Sequence, residues 1–478
     1  MVFASLFFVF VFLTANLLSQ IILPNAKWKN IAMLTFSLIF YAWTGIRCLL
    51  LMLLMVFICK VGAVCIEEDG RRGHSKTLPL VITIFLCLAI LGVFKYAGFA
   101  VSTAAFIAGQ DFTIPEIVLP VGISFYTFQL ISYVVDVYRG EIAAQRSYWQ
   151  LLLYACLFHQ CIAGPIVRYK DVQQDLVERK MTISEAGEGV SRFCTGLMKK
   201  AVIANSCSVI ADRMLDVGAD ALTETSAAGI FLGLFALYLR NYFDFSGYSD
   251  MAIGMGLICG LHYKENFNYP YISQSVSELW RRWHISLCTF FRDYLYFPLG
   301  GSRCSVLMQI RNLFVVWFLT GLWHGAGWNY VLWGLYWGVM LVIQKFIVRD
   351  YLSWLPAVVK VFGVTLISIF GLTLFQFTDL NMVIIALKGL FTLNNNPLTD
   401  FGTEIIFKNN CFLLIIGMIA ATPVFKIAHE RLEKLSHTST FFHVIYAIAE
   451  VAIPIILFIL AVDALAGDSY NPFIYFQF

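Results

Sequence analysis

Hydrophobic residues run in long, nearly unbroken stretches along most of the chain, and short polar segments separate them. About a dozen stretches recur, each near the ~20 residues that a helix needs to cross a bilayer. Charged residues make up 13% of the 478 residues, against roughly 25% in a soluble domain. The pattern predicts an all-α polytopic membrane protein that forms a single integral membrane domain over residues 1–478.

Basic residues in the polar segments predict how the helices are oriented. The first apolar run, residues 2–23, has no basic residue before Lys27. It therefore lacks the positive start of a signal peptide and is predicted to be a retained helix. The segments 71–76, 168–180 and 426–434 are rich in Lys and Arg, and the positive-inside rule places them in the cytoplasm. We expect both termini to lie outside the cytoplasm. The net charge of +3 gives no reason to expect that the protein binds nucleic acid.

Local signals mark the starts of several helices. Pro120 and Gly122 break the start of the run 119–140, and a helix broken inside a membrane has to line a cavity or pack on protein. Thr182 and Ser275 each begin a capping box, in which the side chains three residues apart satisfy the first backbone N–H groups of a helix.

Two acidic residues interrupt the apolar sequence after residue 226. The pattern predicts separate helices at 227–243 and 249–262, joined by the connector FDFSGYSD. Asp244 and Asp250 lie in this connector, and short acidic side chains favour helix caps. We therefore interpret both as capping residues.

A basic and aromatic helix is predicted over residues 276–287. At ~100° per residue, its apolar face is formed by Val276, Leu279, Trp280, Trp283 and Leu287. Arg281 and Arg282 lie opposite, and a basic amphipathic helix is typical of a membrane interface. The two arginines are therefore expected to face either lipid headgroups and solvent or the phosphates of a substrate.

Two histidines, His284 and His324, lie in otherwise apolar sequence, where a polar side chain is costly unless it is hydrogen-bonded or functional. Glycines surround His324, and glycine lets a backbone or ligand approach closely. Histidine is a general base near neutral pH, and Arg or backbone donors can hold phosphates or a developing oxyanion. This combination suits acyl transfer; the alternative is that each histidine makes only a structural hydrogen bond.

Motifs for other chemistries do not occur in the sequence. It contains no GxSxG, P-loop or GxGxxG pattern. The twelve cysteines have neither CxxC nor Cys/His metal spacing. We expect no metal site and interpret the cysteines as small buried apolar residues.

Seven segments resemble, in the same order, motifs of the membrane-bound O-acyltransferase (MBOAT) family, in the bacterial branch of the alginate O-acetylation and teichoic acid D-alanylation membrane proteins. They are LPVGISFYTFQ (119–129), AGPIVRY (163–169), FDFSGYSDMAIGMG (243–256), NFNYPY (266–271), LWRRWHISL (279–287), FFRDYLYFPLGG (290–301) and GLWHGAGWNY (321–330). The resemblance implies a ring of about a dozen helices, some tilted or re-entrant, around a thin central funnel. One departure is His159, at a position where the family motif leads us to expect proline.

The resemblance also implies roles for individual residues. His324 matches the family's invariant histidine and His284 its second histidine, which makes both candidate catalytic residues. The candidate substrate-binding residues in the same motifs are Trp280, Arg281, Arg282, Trp323 and Asn329.

The implied reaction transfers an acyl group from a cytoplasmic thioester to an extracytoplasmic polysaccharide, and acetyl is the acyl group expected first. The expected donor is acyl-CoA or an acyl carrier protein, and no cofactor is expected to be bound. The expected location is the bacterial cytoplasmic (inner) membrane. The expected partners are this donor, membrane lipid and an extracytoplasmic acyltransferase that receives the acyl group. Alternatives are D-alanyl transfer to teichoic acid and a transporter of a small polar substrate, although transporters often contain inverted repeats and none is visible.

The C-terminal segment 471–478, NPFIYFQF, is an aromatic tail. Its simpler interpretation is an anchor at the membrane interface, where aromatic residues concentrate. The tail also resembles the C-terminal aromatic motif of the small partner protein in teichoic acid D-alanylation. That resemblance implies that Tyr475, which has the only side-chain nucleophile of this segment, accepts the acyl group and relays it.

Overall fold

A computed structural model describes residues 3–109, 117–161, 164–215, 218–348 and 351–467 of the chain. These residues form helices joined by turns and loops, with no β-strand among them. In chain order the helices are α1 Phe8–Ile22, α2 Ala26–Ala42, α3 Ile46–Arg71, α4 Thr77–Ala108, α5 Ile123–Arg139, α6 Tyr148–Cys156, α7 Tyr169–Glu178, α8 Ile183–Met198, α9 Asn205–Leu215, α10 Ala219–Glu224, α11 Ala227–Ile258, α12 Val276–Arg282, α13 Ile285–Phe291, α14 Val306–His324, α15 Trp328–Val348, α16 Ala357–Gln376, α17 Leu380–Leu390, α18 Phe401–Ala420, α19 Val424–Ser436 and α20 Thr440–Gly467.

Among the described residues, seven helices are long and apolar enough to cross a membrane, namely α3, α4, α14, α15, α16, α18 and α20. Two shorter apolar helices, α1 and α17, accompany them. The predicted all-α polytopic membrane protein is confirmed. A closed ring of helices around a funnel stays a prediction.

The break predicted before α5 is present. Gly122 has a φ of 75° directly before the helix, a left-handed conformation that glycine adopts without steric cost. The Tyr41 hydroxyl donates to the carbonyl oxygen of Val121 at 2.9 Å, which ties this turn to α2. From Ile123 to Val134 every side chain of α5 is buried, so the helix packs on protein, as a broken helix in a membrane requires.

The prediction of two helices at 227–243 and 249–262 is wrong, because α11 runs unbroken through the connector. Asp244 and Asp250 are therefore not caps but lie inside the helix. Asp244 pairs with Lys200 at 2.6 Å, and both side chains are 3% exposed. Asp250 pairs with Lys199 at 2.6 Å. These ion pairs join α11 to the π-helical turn Lys199–Ala204 between α8 and α9, which allows acidic residues inside a buried helix.

Close glycine contacts join α8 and α11. A Cβ on Gly196 would lie 2.5 Å from the carbonyl oxygen of Gly247, and a Cβ on Gly254 would lie 2.5 Å from that of Gly189. Small residues let the backbones of two helices approach in this way. The two helices are held at a short separation, which brings Asp244 and Asp250 within reach of Lys200 and Lys199.

The loop after α3 and the charged segment 168–180 lie at the same end of α5. Nζ of Lys76 donates to the carbonyl oxygen of Tyr138 at 2.8 Å, and Nζ of Lys170 lies 3.3 Å from the carboxylate of Asp136. The common location agrees with the prediction that both segments share one side of the membrane. Which side this is stays a prediction.

The two predicted capping boxes have different outcomes. At Thr182 the box is complete, with both reciprocal hydrogen bonds to Glu185. At Ser275 the side chain accepts from the backbone N–H of Glu278 at 3.2 Å, but the Glu278 carboxylate accepts from the backbone N–H of Gln274 at 2.9 Å. The Ser275 cap is therefore present without the second half of the box.

Candidate active site

His324 is the last residue of α14, and glycines hold α14 against α15. A Cβ on Gly321 would overlap the carbonyl oxygen of Tyr330, and a Cβ on Gly334 would overlap that of Trp317. A Cβ on Gly325 would collide with the ring of Tyr330. The glycines around His324 thus allow a tight helix hairpin with the histidine at its turn.

The imidazole of His324 is buried beside a cavity of about 60 Å³. Its ring centroid lies 4.8 Å from Trp333 and 5.4 Å from Phe375. The cavity is lined by Tyr238, Asn241, Tyr271, Leu279, Trp280, Trp283, His324, Trp333, Trp337, Ser368, Leu372 and Phe375. Among these lining residues His324 is the one histidine, so a substrate bound in the cavity would contact its imidazole.

His284 lies at a break between two helices, so the prediction of one continuous helix over 276–287 is wrong. α12 ends at Arg282 and α13 begins at Ile285, because His284 has a left-handed backbone with φ 44° and ψ 54°. Few residues other than glycine adopt this conformation without strain. The backbone N–H of Ile285 donates to the carbonyl oxygen of Asn266 at 2.9 Å, and this contact supports the turn.

Asn266 also holds the side chains around this turn. Its side-chain oxygen lies 3.1 Å from Nδ1 of His284 and accepts hydrogen bonds from the backbone N–H of Ser286 at 3.1 Å and from its hydroxyl at 2.8 Å. Its amide nitrogen donates to the hydroxyl of Ser249 at 3.1 Å. His284 and Asn266 are both fully buried, with 1% and 0% exposure.

Trp323 contacts both histidines. Its ring centroid lies 5.7 Å from that of His284 and 4.9 Å from that of His324. Phe125 and Phe128 of α5 pack on the same indole at 5.1 and 5.9 Å. The structure therefore brings His284, Trp323 and His324 together, as the sequence prediction of one site requires.

The remaining predicted site residues divide between this site and its surroundings. Trp280 lines the cavity beside His324 and packs on Trp317 at 4.5 Å between ring centroids. Asn329 is 1% exposed, does not line that cavity and donates to the carbonyl oxygen of Phe375 at 3.5 Å. Its position favours a role in joining α15 to α16.

Arg281 and Arg282 do not line the cavity of His324. Arg282 pairs with Glu278 at 2.9 Å and donates to the carbonyl oxygen of Asn268 at 3.0 Å. Arg281 lines a second cavity, of about 270 Å³, together with Arg292. Trp280 forms part of the wall of both cavities, so it lies between His324 on one side and Arg281 and Arg292 on the other.

Lys95 is a residue of this site that the sequence prediction missed. It lies in α4 and is 8% exposed. Its Nζ donates to the carbonyl oxygen of Trp323 at 2.5 Å and to the hydroxyl of Ser124 at 3.1 Å. An ionisable residue inside a long apolar run is a signal of function, and that signal at Lys95 was available in the sequence.

Tyr475 and the rest of the aromatic tail 471–478 lie outside the described residues. Within the described residues, no group of three or more His, Cys, Asp or Glu side chains could hold a metal ion.

Comparison with known proteins identifies the family. Residues 141–353 match the model of the MBOAT, membrane-bound O-acyltransferase family. The chain is 36% identical to the probable alginate O-acetylase AlgI of Azotobacter vinelandii, over 100% of both chains. The chain belongs to the membrane-bound O-acyltransferase family.

This membrane-bound O-acyltransferase also resembles proteins with other acceptors. It is 30% identical to the peptidoglycan O-acetyltransferase of Helicobacter pylori, over 88% of this chain and 86% of the relative. It is 28% identical to the teichoic acid D-alanyltransferase of Bacillus subtilis, over 49% of this chain and 62% of the relative. The protein is thus a multi-pass membrane enzyme that transfers acyl groups to oxygen, and the transporter alternative is not supported.

Proposed function

We propose that the protein transfers an acetyl group from a cytoplasmic thioester, across the bacterial cytoplasmic membrane, to the hydroxyl groups of an extracytoplasmic polysaccharide. The choice of acetyl over D-alanyl rests on coverage. The alginate O-acetylase relative matches the chain over its whole length, whereas the D-alanyltransferase relative matches about half of it. The observation that carries the proposed mechanism is the contact of Trp323 with both His284 and His324 beside an aromatic cavity.

His324 acts as the general base in this mechanism, and His284 assists from the cytoplasmic half. Nε2 or Nδ1 of a neutral imidazole accepts the proton of the acceptor hydroxyl while its oxygen attacks the carbonyl carbon of the thioester. The carbon–sulfur bond then breaks, and the thiolate leaves with the proton that the imidazolium returns. The aromatic walls of the cavity exclude water, which limits hydrolysis of the thioester.

The second cavity suits the charged end of the donor. Coenzyme A and the phosphopantetheine group of an acyl carrier protein both contain phosphates, which guanidinium groups bind through paired N–H donors. Arg281 and Arg292 line this cavity, whereas Arg282 is already paired with Glu278. We therefore assign donor binding to Arg281 before Arg282, with Trp280 between the phosphates and His324.

The first acceptor is the hydroxyl of Tyr475 in the aromatic tail. His324 takes its proton, the oxygen attacks the thioester, and the product is an acyl-tyrosine ester. An extracytoplasmic acyltransferase then moves the acyl group to a sugar hydroxyl and releases the phenol. A phenol, with a pKa of about 10, leaves more readily than an alkoxide, which suits a relay.

The experiment that tests this function measures transfer of radiolabelled acetyl from acetyl-CoA, or from acetyl carrier protein, in membranes that contain the wild type or His324→Ala. We expect His324→Ala to lose transfer while it stays folded in detergent. His437→Ala, a change at a histidine outside the site, is the control and should keep the wild-type rate. Unimpaired transfer by His324→Ala would contradict the proposed mechanism.

A further inference from the structure

The end of α14, which presents His324, is held by two side chains of α4. Nζ of Lys95 donates to the carbonyl oxygen of Trp323 at 2.5 Å. The hydroxyl of the next residue, Tyr96, donates to the carbonyl oxygen of Leu322 at 2.7 Å. Two consecutive residues, more than two hundred positions away in sequence, thus bind the two carbonyl groups that directly precede His324.

These carbonyl groups need partners from outside their own helix. The last four carbonyl groups of an α-helix have no intrahelical N–H donor. At the end of α14 the backbone N–H of Gly325 reaches only the carbonyl oxygen of Gly321, at 3.3 Å. Gly325 itself is extended, with φ −168° and ψ 159°, so the helix ends here and the carbonyl groups of Leu322 and Trp323 lie in its last turn. Tyr96 and Lys95 replace the missing donors.

The local structure of α4 explains how adjacent residues reach the same helix end. Lys95 and Tyr96 lie in a π-helical turn, Gly92–Tyr96, inside α4. Single π-helical turns within α-helices occur often at functional sites, because they change the direction of nearby side chains. Lys95 also donates to Ser124 in the first turn of α5 at 3.1 Å. It therefore joins three helices at the position of His324.

We propose that Lys95 and Tyr96 are positioning residues for the reaction, which fix the last turn of α14 and with it the imidazole of His324. The inference rests on the proposed role of His324 as general base. The amine of Lys95 donates these hydrogen bonds whether it is charged or neutral, so the role depends on geometry. A reacting group that shifts by ~1 Å loses about 100-fold in rate, whereas binding of the donor, which uses other residues, is expected to change little.

The test compares substitutions at these contacts with matched substitutions elsewhere. Lys95→Met keeps an unbranched apolar side chain and removes the donor, and Tyr96→Phe removes only the hydroxyl. The controls are Lys76→Met, which loses a lysine bond to the carbonyl oxygen of Tyr138, and Tyr148→Phe, which loses a tyrosine bond to that of Leu53. These four proteins and a fifth, Lys95→Arg, are purified in detergent, and kcat, KM for the thioester and the melting temperature are measured.

We expect Lys95→Met to lower kcat about 100-fold, with KM for the thioester within about twofold of the wild type. Tyr96→Phe should lower kcat less, because Lys95 still holds the end of the helix. Lys95→Arg, which restores an N–H donor, should recover part of kcat. Both controls should keep kcat, even where they lower the melting temperature.

Two results would overturn the inference. One is a wild-type kcat in Lys95→Met. The other is a loss of kcat in Lys76→Met that is as large as in Lys95→Met at the same melting temperature, because both proteins would then show only a general loss of stability. If His324→Ala is inactive and Lys95→Met is fully active, only this inference is rejected. If His324→Ala is active, the proposed mechanism is rejected.

Discussion

The side-chain oxygen of Asn266 lies 3.1 Å from Nδ1 of His284 and fixes which ring nitrogen carries the proton. The same oxygen accepts from the backbone N–H of Ser286, and a backbone N–H can only donate. The amide is therefore oriented with its oxygen toward His284, so Nδ1 must be the donor. In the neutral ring Nε2 then holds the lone pair, which makes it the basic atom of His284.

Removal of Asn266 is expected to lower the rate through His284. Asn266→Ala leaves the imidazole free to change its tautomer and orientation. We expect kcat to fall about 10- to 100-fold, a part of the ~10²–10⁴-fold that a positioned acid–base group contributes. The measurement is acetyl transfer by the purified protein, together with that of His284→Ala.

A matched control separates this effect from a loss of buried hydrogen bonds. Asn396 is also buried and donates to the carbonyl oxygens of Thr225 and Gly389 at 2.8 and 3.0 Å. Asn396→Ala should reduce stability and leave kcat unchanged. If His284→Ala itself keeps the wild-type rate while His324→Ala is inactive, His284 has no assisting role and the prediction for Asn266 fails with it.

The hairpin of α14 and α15 is expected to tolerate no side chain at its glycine contact. Gly334→Ala adds a methyl group that overlaps the carbonyl oxygen of Trp317, and overpacking costs about 1–3 kcal/mol. Gly363→Ala, in α16, meets no atom within 4 Å and should be neutral or slightly stabilising. Thermal unfolding in detergent measures both variants; equal melting temperatures would show that the hairpin relaxes around the methyl group.

The hydrophobic pattern of the sequence predicted an all-α membrane protein. It also marked His284 and His324 as candidate site residues, because polar residues inside a membrane are rare and stand out in apolar sequence. The pattern wrongly predicted a loop around Asp244, because an aspartate inside a buried helix is not expected until its ion-pair partner, Lys200, is known. It failed again at His284, whose left-handed backbone is supported by Asn266, eighteen residues earlier. Both errors have the same cause: a stabilising partner that lies on another segment.

Lys95 was missed for a related reason. Lysine in an apolar run is visible in the sequence, but its acceptors, the carbonyl oxygen of Trp323 and the hydroxyl of Ser124, lie far away in sequence and nothing there marks the contact. The family motifs around His324 could be recognised because they lie close together in sequence. A contact that joins α4 to α14 becomes visible only when the helices are packed.

The orientation of the helices predicts where a cysteine is labelled. With the basic loop at 71–76 in the cytoplasm, Arg72→Cys in a Cys65→Ser background should react with a membrane-impermeant maleimide only in inside-out vesicles. Ser469→Cys, near the C-terminus, should react only in right-side-out cells. Labelling of position 72 from outside alone would reverse the topology.

Tyr475 separates the two interpretations of the aromatic tail. Tyr475→Phe retains the ring for packing and removes only the oxygen that would form the ester. We expect this protein to insert normally and to lose acylation of the extracytoplasmic polysaccharide, because a phenylalanine cannot hold an acyl group. Tyr470→Phe, a second tyrosine near the C-terminus, is the matched control and should keep acylation.

Mass spectrometry of the C-terminal peptide provides the second measurement. The wild type, trapped in the absence of the receiving acyltransferase, should carry an added mass of one acetyl group on Tyr475, and His324→Ala should not. The ester should disappear on mild alkaline treatment, because a phenol is a good leaving group. Normal polysaccharide acylation by Tyr475→Phe, or a wild-type peptide that never gains this mass, would leave Tyr475 with the role of an interfacial anchor and would make a sugar hydroxyl the direct acceptor.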